Sequence, residues 1–151
     1  MTARPHSPAR RLAAGVLLAA AVAAVSACGG DTSVLSLEVG QCINTETEGE
    51  VSSVPVVDCA ETHNGEIYSL PQLPDGDFPG DEAVRQSADQ LCAGQDFQTY
   101  VGKPYQESEI YYSALTPTDE TWDDGDREIV CILLSDEAGS ASTGSLRGVN
   151  R

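Results

Sequence analysis

The apolar positions of the chain change period several times along its length. Residues 12–25 are an unbroken run of Leu, Ala, Val and one Gly. Residues 51–58 (V-S-S-V-P-V-V-D) are β-branched and residues 65–70 (G-E-I-Y-S-L) alternate, so both predict strands, joined by a turn at 61–64. Pro55 puts the first of them at a sheet edge or a bulge. The breakers of residues 73–80 (L-P-D-G-D-F-P-G) follow, and then the period changes. From Asp81 onward, Val84, Ala88, Leu91 and Cys92 fall on one helical face, with Asp81 and Glu82 in the first turn where carboxylates suit the helix dipole. Phe97, Tyr100 and Val101 extend this helix until Gly102-Lys103-Pro104 stops it. Residues 110–115 (I-Y-Y-S-A-L) and 128–134 (E-I-V-C-I-L-L) predict two more strands around a loop at 116–127. A Gly/Ser/Ala turn or linker at 136–143 leads to a weak final strand at 145–148.

Strands, one helix and more strands predict an α+β fold: a small twisted antiparallel sheet with one main helix packed on it, stapled by two disulfides. The domain is expected over residues 35–148, with 149–151 as a tail. Its core is expected from Val54, Val56, Ile67, Tyr68, Val84, Leu91, Phe97, Tyr111, Leu115, Ile129, Cys131 and Leu133. Aromatic residues make up only 5% of the chain, so that core must be largely aliphatic.

The apolar run near the start has a separate meaning. The first 27 residues contain Arg4, Arg10 and Arg11 and no acidic group. A basic start followed by a short run poor in large side chains predicts a signal peptide over 1–27 rather than a membrane-spanning helix. It closes on Val25-Ser26-Ala27-Cys28, which resembles the lipobox of bacterial lipoproteins. That resemblance implies a diacylglyceryl thioether on Cys28 and cleavage before it. Two or three acyl chains, at about 0.8 kcal/mol per buried CH₂, hold such a protein on the membrane. Residues 28–34 then read as a lipid-anchored tether, and the protein as lipid-anchored on the extracytoplasmic face of the cell membrane.

Export permits disulfides. With Cys28 acylated, the odd count of five cysteines becomes even. Cys42, Cys59, Cys92 and Cys131 allow three pairings. Cys42 with Cys59 and Cys92 with Cys131 is the preferred set, because the first joins neighbouring strands and the second ties the helix to the last strong strand. A zinc site is disfavoured, since no two of these cysteines stand at a C-x₂₋₄-C distance.

Charge narrows the partners. The formal net charge is −16 and the pI about 4.1, and removing the basic leader makes the exported part more acidic still. Phosphate-held binding needs clustered Lys and Arg, so nucleic acid is excluded as a partner. Cys59-x₃-His63-x₂-Glu66 resembles a nucleophile with its base, or a metal site, but an oxidised Cys59 is neither nucleophile nor ligand. His63 is therefore expected to cap its turn by bonding backbone groups or Glu66. Asp75, Asp77, Asp81 and Glu82 form one acidic cluster, and Asp119, Glu120, Asp123, Asp124 and Asp126 another. Neither has EF-hand spacing. They are expected to be solvated turns, with Asp126 or Glu120 pairing with Arg127, while Trp122 covers the sheet edge and its N–H finds a carbonyl. The motifs of serine hydrolases, zinc peptidases and phosphate loops are all absent from the sequence, so no catalytic residue, metal ligand or cofactor is assigned.

A second resemblance rests on four segments: Val39-Gly40-Gln41-Cys42; residues 56–68, from Val56 to Tyr68 and including Cys59, His63 and Glu66; Phe78-Pro79-Gly80-Asp81 with Cys92; and Pro117 with Trp122, Gly125-Asp126-Arg127 and Val130-Cys131. Together they resemble the "septum formation" domain family of actinobacterial exported and lipid-anchored proteins. The resemblance implies a place in cell division or envelope assembly and no catalytic residues. The expected function is a non-enzymatic binding or scaffolding module, held to the membrane by its lipid anchor and meeting an envelope or division protein. The alternative is an accessory domain that senses or binds a cell-wall ligand or a divalent cation.

Overall fold

The computed structural model describes residues 31–45 and 51–151. Alternation of side chains builds a six-stranded antiparallel sheet, and its two buried faces form two apolar clusters. The strands are β1 (Asp31–Ser33), β2 (Cys42–Ile43), β3 (Ser53–Val57), β4 (Gly65–Ser69), β5 (Tyr111–Leu115) and β6 (Val130–Leu134). Their order across the sheet is β1-β3-β2-β4-β6-β5. The helices are α1 (Asp81–Cys92), α2 (Gln95–Val101) and α3 (Asp119–Asp123).

On β6, Cys131 and Leu133 face the helices, whereas Val130 and Ile132 face the other side. The helix-side cluster joins them to Tyr68, Ala88, Phe97, Tyr100, Val101, Ile110, Ile129 and Leu146. The opposite cluster contains Leu37, Ile43, Val54 and Ile67. Strand β4 is buried along its whole length, and the register slips between Ile67 and Ser69. Glu66 lies opposite Leu133 and Ser69 opposite Cys131, so Tyr68 is the extra residue of a bulge, and both Tyr68 and Ser69 turn toward the helices. Gly65 is needed for closeness: a Cβ there would lie 2.8 Å from Ile132 Cγ2 and 3.1 Å from Ile43 Cγ1.

Both preferred disulfides form. Cys42–Cys59 joins β2 to the turn after β3, and Cys92–Cys131 joins the end of α1 to β6. The structure revises several expectations. Asp31–Ser33, expected in the tether, pairs with β3 as an edge strand. The helical stretch breaks at Ala93-Gly94, where a side chain at residue 94 would lie 2.9 Å from the Gln90 carbonyl oxygen. Leu91 is 38% exposed because the buried stripe is Val84, Ala88 and Cys92, which advances by four. Tyr111 is 36% exposed because β5 is an edge strand and its alternate residue, Tyr112, turns toward Tyr105 and Asp89. Val56 and Leu115 are only partly buried. Residues 145–148 form no strand; Leu146 is buried there instead, and Asn150 N–H donates to the Val101 carbonyl, so the expected tail packs too. Cys28 and the signal segment lie outside the described residues.

Candidate functional site

Polar chemistry converges on β4. Cys42 and Glu66 are direct partners across the β2–β4 ladder, which sets their side chains on one face. Three residues before Glu66, His63 is held by its own backbone, whose N–H donates to Ser142 O and whose carbonyl accepts from Ser142 N–H. A ring nitrogen of His63, Sγ of Cys42 and a carboxylate oxygen of Glu66 therefore lie within 4.8 Å of one another, and all three residues are buried.

Glu66 is 1% exposed and has no basic partner within ion-pair distance among the described residues. Three neutral donors serve it instead. Tyr100 Oη from α2 donates to Oε1 at 2.6 Å, Ser145 Oγ to the same oxygen at 2.6 Å, and Leu146 N–H to Oε2 at 2.5 Å. Hydrogen bonds to a charged acceptor contribute about 1.5–3 kcal/mol each, which offsets the desolvation of a carboxylate taken out of water. Burial, followed by the bond to Glu66, raises the Tyr100 hydroxyl above its ordinary value, and the Arg147 guanidinium 4.4 Å from its ring centre opposes this. Tyr100 is thus a proton donor throughout the neutral range. Beside it, a cleft of about 330 Å³ is lined by Tyr68, Ser69, Asp96, Thr99, Tyr100 and Arg147. Ser69 Oγ donates to Asp96 there, and Tyr68 Oη to the Cys92 carbonyl. Burial raises the Tyr68 hydroxyl as well.

His63 is 1% exposed. Its Nδ1 lies 2.9 Å from the Glu61 carbonyl, an acceptor, so the proton belongs on Nδ1 and the lone pair on Nε2. Nε2 is buried without a hydrogen-bond partner among the described residues. The turn cap is thus made to backbone, not to Glu66.

Trp122, Asp126 and Arg127 are brought together elsewhere. Thr118 caps α3 by accepting from Thr121 N–H, and Thr121 Oγ1 accepts from Thr118 N–H. This buries Trp122, whose Nε1 donates to Gly76 O at 2.8 Å and whose ring meets Phe78 and the Arg127 guanidinium, 3.8 Å from its centre. The expected pairing of Arg127 with Asp126 or Glu120 does not occur. Arg127 Nη1 donates to the main-chain carbonyls of Trp122 and Asp126, and its Nε faces Asp75 at 3.6 Å. The Asp126 carboxylate accepts from Glu128 N–H instead. Arg127 is thus bonded to the main chain of its own loop and reaches Asp75 of the other only as a loose ion pair, its Nε having no hydrogen-bond partner among the described residues.

Of the residues assigned from sequence, Cys42, His63 and Glu66 converge, Trp122 and Arg127 form a separate buttress, and Cys59 is engaged through its disulfide. Tyr100, Ser145 and Leu146 join the site without any sequence motif that marks them for it. Comparison with curated proteins and with solved structures finds no match. Residues 36–151 match the family described as Septum formation. With that match over most of its length, and with the four cysteines paired as two disulfides around the buried β4 centre, the chain belongs to the Septum formation family.

Proposed function

We infer from membership of the Septum formation family that the protein has a role in cell division. We propose that the protein fills it as a lipid-anchored, extracytoplasmic binding or scaffolding module that performs no catalysis. The observation that carries this reading is the state of the reactive groups. Glu66 and His63 are each 1% exposed, and the Glu66 oxygens are bonded to Tyr100, Ser145 and Leu146. Among the described residues, Cys42, Cys59, Cys92 and Cys131 are all taken up in disulfides. Such groups hold a shape rather than turn over a substrate. Two disulfides favour an oxidising compartment, and the Val25-Ser26-Ala27-Cys28 segment supports export with an acyl anchor. A surface this acidic would meet a basic partner segment, or an anionic polymer only through cations.

The test is crosslinking from the membrane surface with the full chain, run beside Cys28→Ser. The wild type is expected in the membrane fraction, crosslinked to a division or envelope protein. Cys28→Ser is expected in the medium without that partner. A variant that stays with the membrane overturns the anchor, and a wild type that captures no such protein overturns the scaffold.

A further inference from the structure

The β4 centre contains an unused ligand set. With Nδ1–H fixed on the Glu61 carbonyl, His63 presents a bare Nε2 lone pair inside the protein, and neither a carboxylate nor a disulfide sulfur has a proton to donate to it. Holding one imidazole nitrogen on a backbone carbonyl is how proteins orient a histidine that binds metal through the other. The Glu66 carboxylate has about four lone-pair sites, of which three are occupied. The third group, Cys42 Sγ, is withheld by its bond to Cys59.

We propose that reduction of Cys42–Cys59 converts this centre into a zinc site formed by Cys42 Sγ, His63 Nε2 and a Glu66 oxygen. The reductant is a dithiol. Cys59 is partly exposed and Cys42 fully buried, so the attacking thiolate bonds to the Cys59 sulfur, the Cys42–Cys59 bond breaks, and Cys42 leaves as the thiolate. The second thiol of the reductant then displaces Cys59, which takes up a proton, and the reductant departs as its own disulfide. The freed Cys42 thiolate lies beside the Glu66 carboxylate, two like charges away from water, a costly arrangement. Zn²⁺ cancels both, since thiolate, neutral imidazole and carboxylate sum to minus two. Ligand atoms around tetrahedral zinc stand about 3.3–3.8 Å apart, given bonds of about 2.0–2.3 Å. The present spacing of up to 4.8 Å therefore needs a contraction of about 1 Å. The mature chain would thus be metal-free when oxidised and metal-binding when reduced.

The test uses the full chain with Zn²⁺ alone, before and after treatment with a phosphine reductant, followed by anaerobic desalting and metal analysis. The expected result is zinc near zero in the oxidised protein and about one per chain in the reduced protein. Co²⁺ in its place should give a thiolate charge-transfer band. His63→Ala should lose affinity by more than the roughly 10–100-fold that removal of an outer partner costs, whereas Tyr100→Phe stays within that range. A Cys92→Ser/Cys131→Ser chain should still bind when reduced. No zinc in the reduced wild type overturns the proposal. So does equal zinc in the oxidised form, full retention in His63→Ala, or a reduced chain that unfolds whether or not zinc is present.

Discussion

Tyr100→Phe isolates the bond that anchors Glu66 to α2. The substitution keeps the ring, with its 7% exposure, its contact with Tyr68 at 6.1 Å and its stacking against Arg147, and removes one hydroxyl. Glu66 Oε1 is then left with Ser145 as its one donor. A hydrogen bond to a charged, buried acceptor is worth about 1.5–3 kcal/mol, so a loss of about 2 kcal/mol is expected. For a domain of this size that lowers Tm by roughly 5–10 °C. The assay is urea unfolding of the oxidised protein followed by fluorescence of Trp122, the one tryptophan of the chain. The same measurement on Glu66→Gln and on the double variant closes a cycle. A glutamine still accepts from Leu146 N–H through its oxygen and meets Tyr100 as a neutral partner, so about 1 kcal/mol of coupling is expected between the two positions. An unchanged midpoint in Tyr100→Phe, or strict additivity in the cycle, would refute the account of how this carboxylate is held.

Gly65→Ala should destabilise by about 1–3 kcal/mol, because its Cβ would press on Ile132 and Ile43 from the core side of β4; a wild-type urea midpoint would count against that packing. Replacing both Cys92 and Cys131 by Ala should cost about 4 kcal/mol by chain entropy for a separation of 39 residues, against about 3 for the 17-residue Cys42–Cys59 loop, and thermal unfolding of the two variants ranks them. Burial, and after it the Asp126 carboxylate, holds the Glu128 carboxyl above its usual range, so folding disfavours its ionised form. That penalty is absent below the unfolded-state value near 4.3 and complete above the raised folded-state value. Glu128→Gln should therefore raise Tm at pH 7 and leave it unchanged at about pH 3, and an equal shift at both would show that charge is not the cause.

Periodicity located what was long enough to have a period. Strands β3, β4, β5 and β6 and helix α1 fall where alternation or a four-residue advance marks them. Strand β2 is two residues long and offers no alternation, yet it carries Cys42 to its place beside Glu66. Helix α3 hides in an acidic loop because its capping pair is Thr118 with Thr121, not the Glu or Gln that usually marks the third position. Strand β1 was obscured by the small polar composition around it. At the centre itself, Cys42, His63 and Glu66 could be picked out by residue type. Their partners could not: Tyr100 is 34 residues from Glu66, Ser145 is 79, and the third donor is a backbone N–H, which leaves no mark in a sequence. Spacing alone puts Leu91 and Cys92 on the same apolar face, but the disulfide to Cys131 turns Cys92 inward and leaves Leu91 38% exposed.

The strap at residues 145–150 also governs the order in which the protein can become itself. Pairing of β4 with β2 and β6 alone leaves the Glu66 side chain on the open, helix-facing side of the sheet, hydrated until α2 and the donors from Ser145 and Leu146, 79 and 80 residues downstream, close over it. An ion enclosed without donors is costly, so that intermediate is kept open and hydrated. Covering of the helix side of the sheet and docking of the strap are therefore expected to go together, whereas the sheet itself can pair beforehand. Glu66 thereby links distant parts of the chain: burying it in the helix-side core is favourable only once its donors from residues 145–146 are in place.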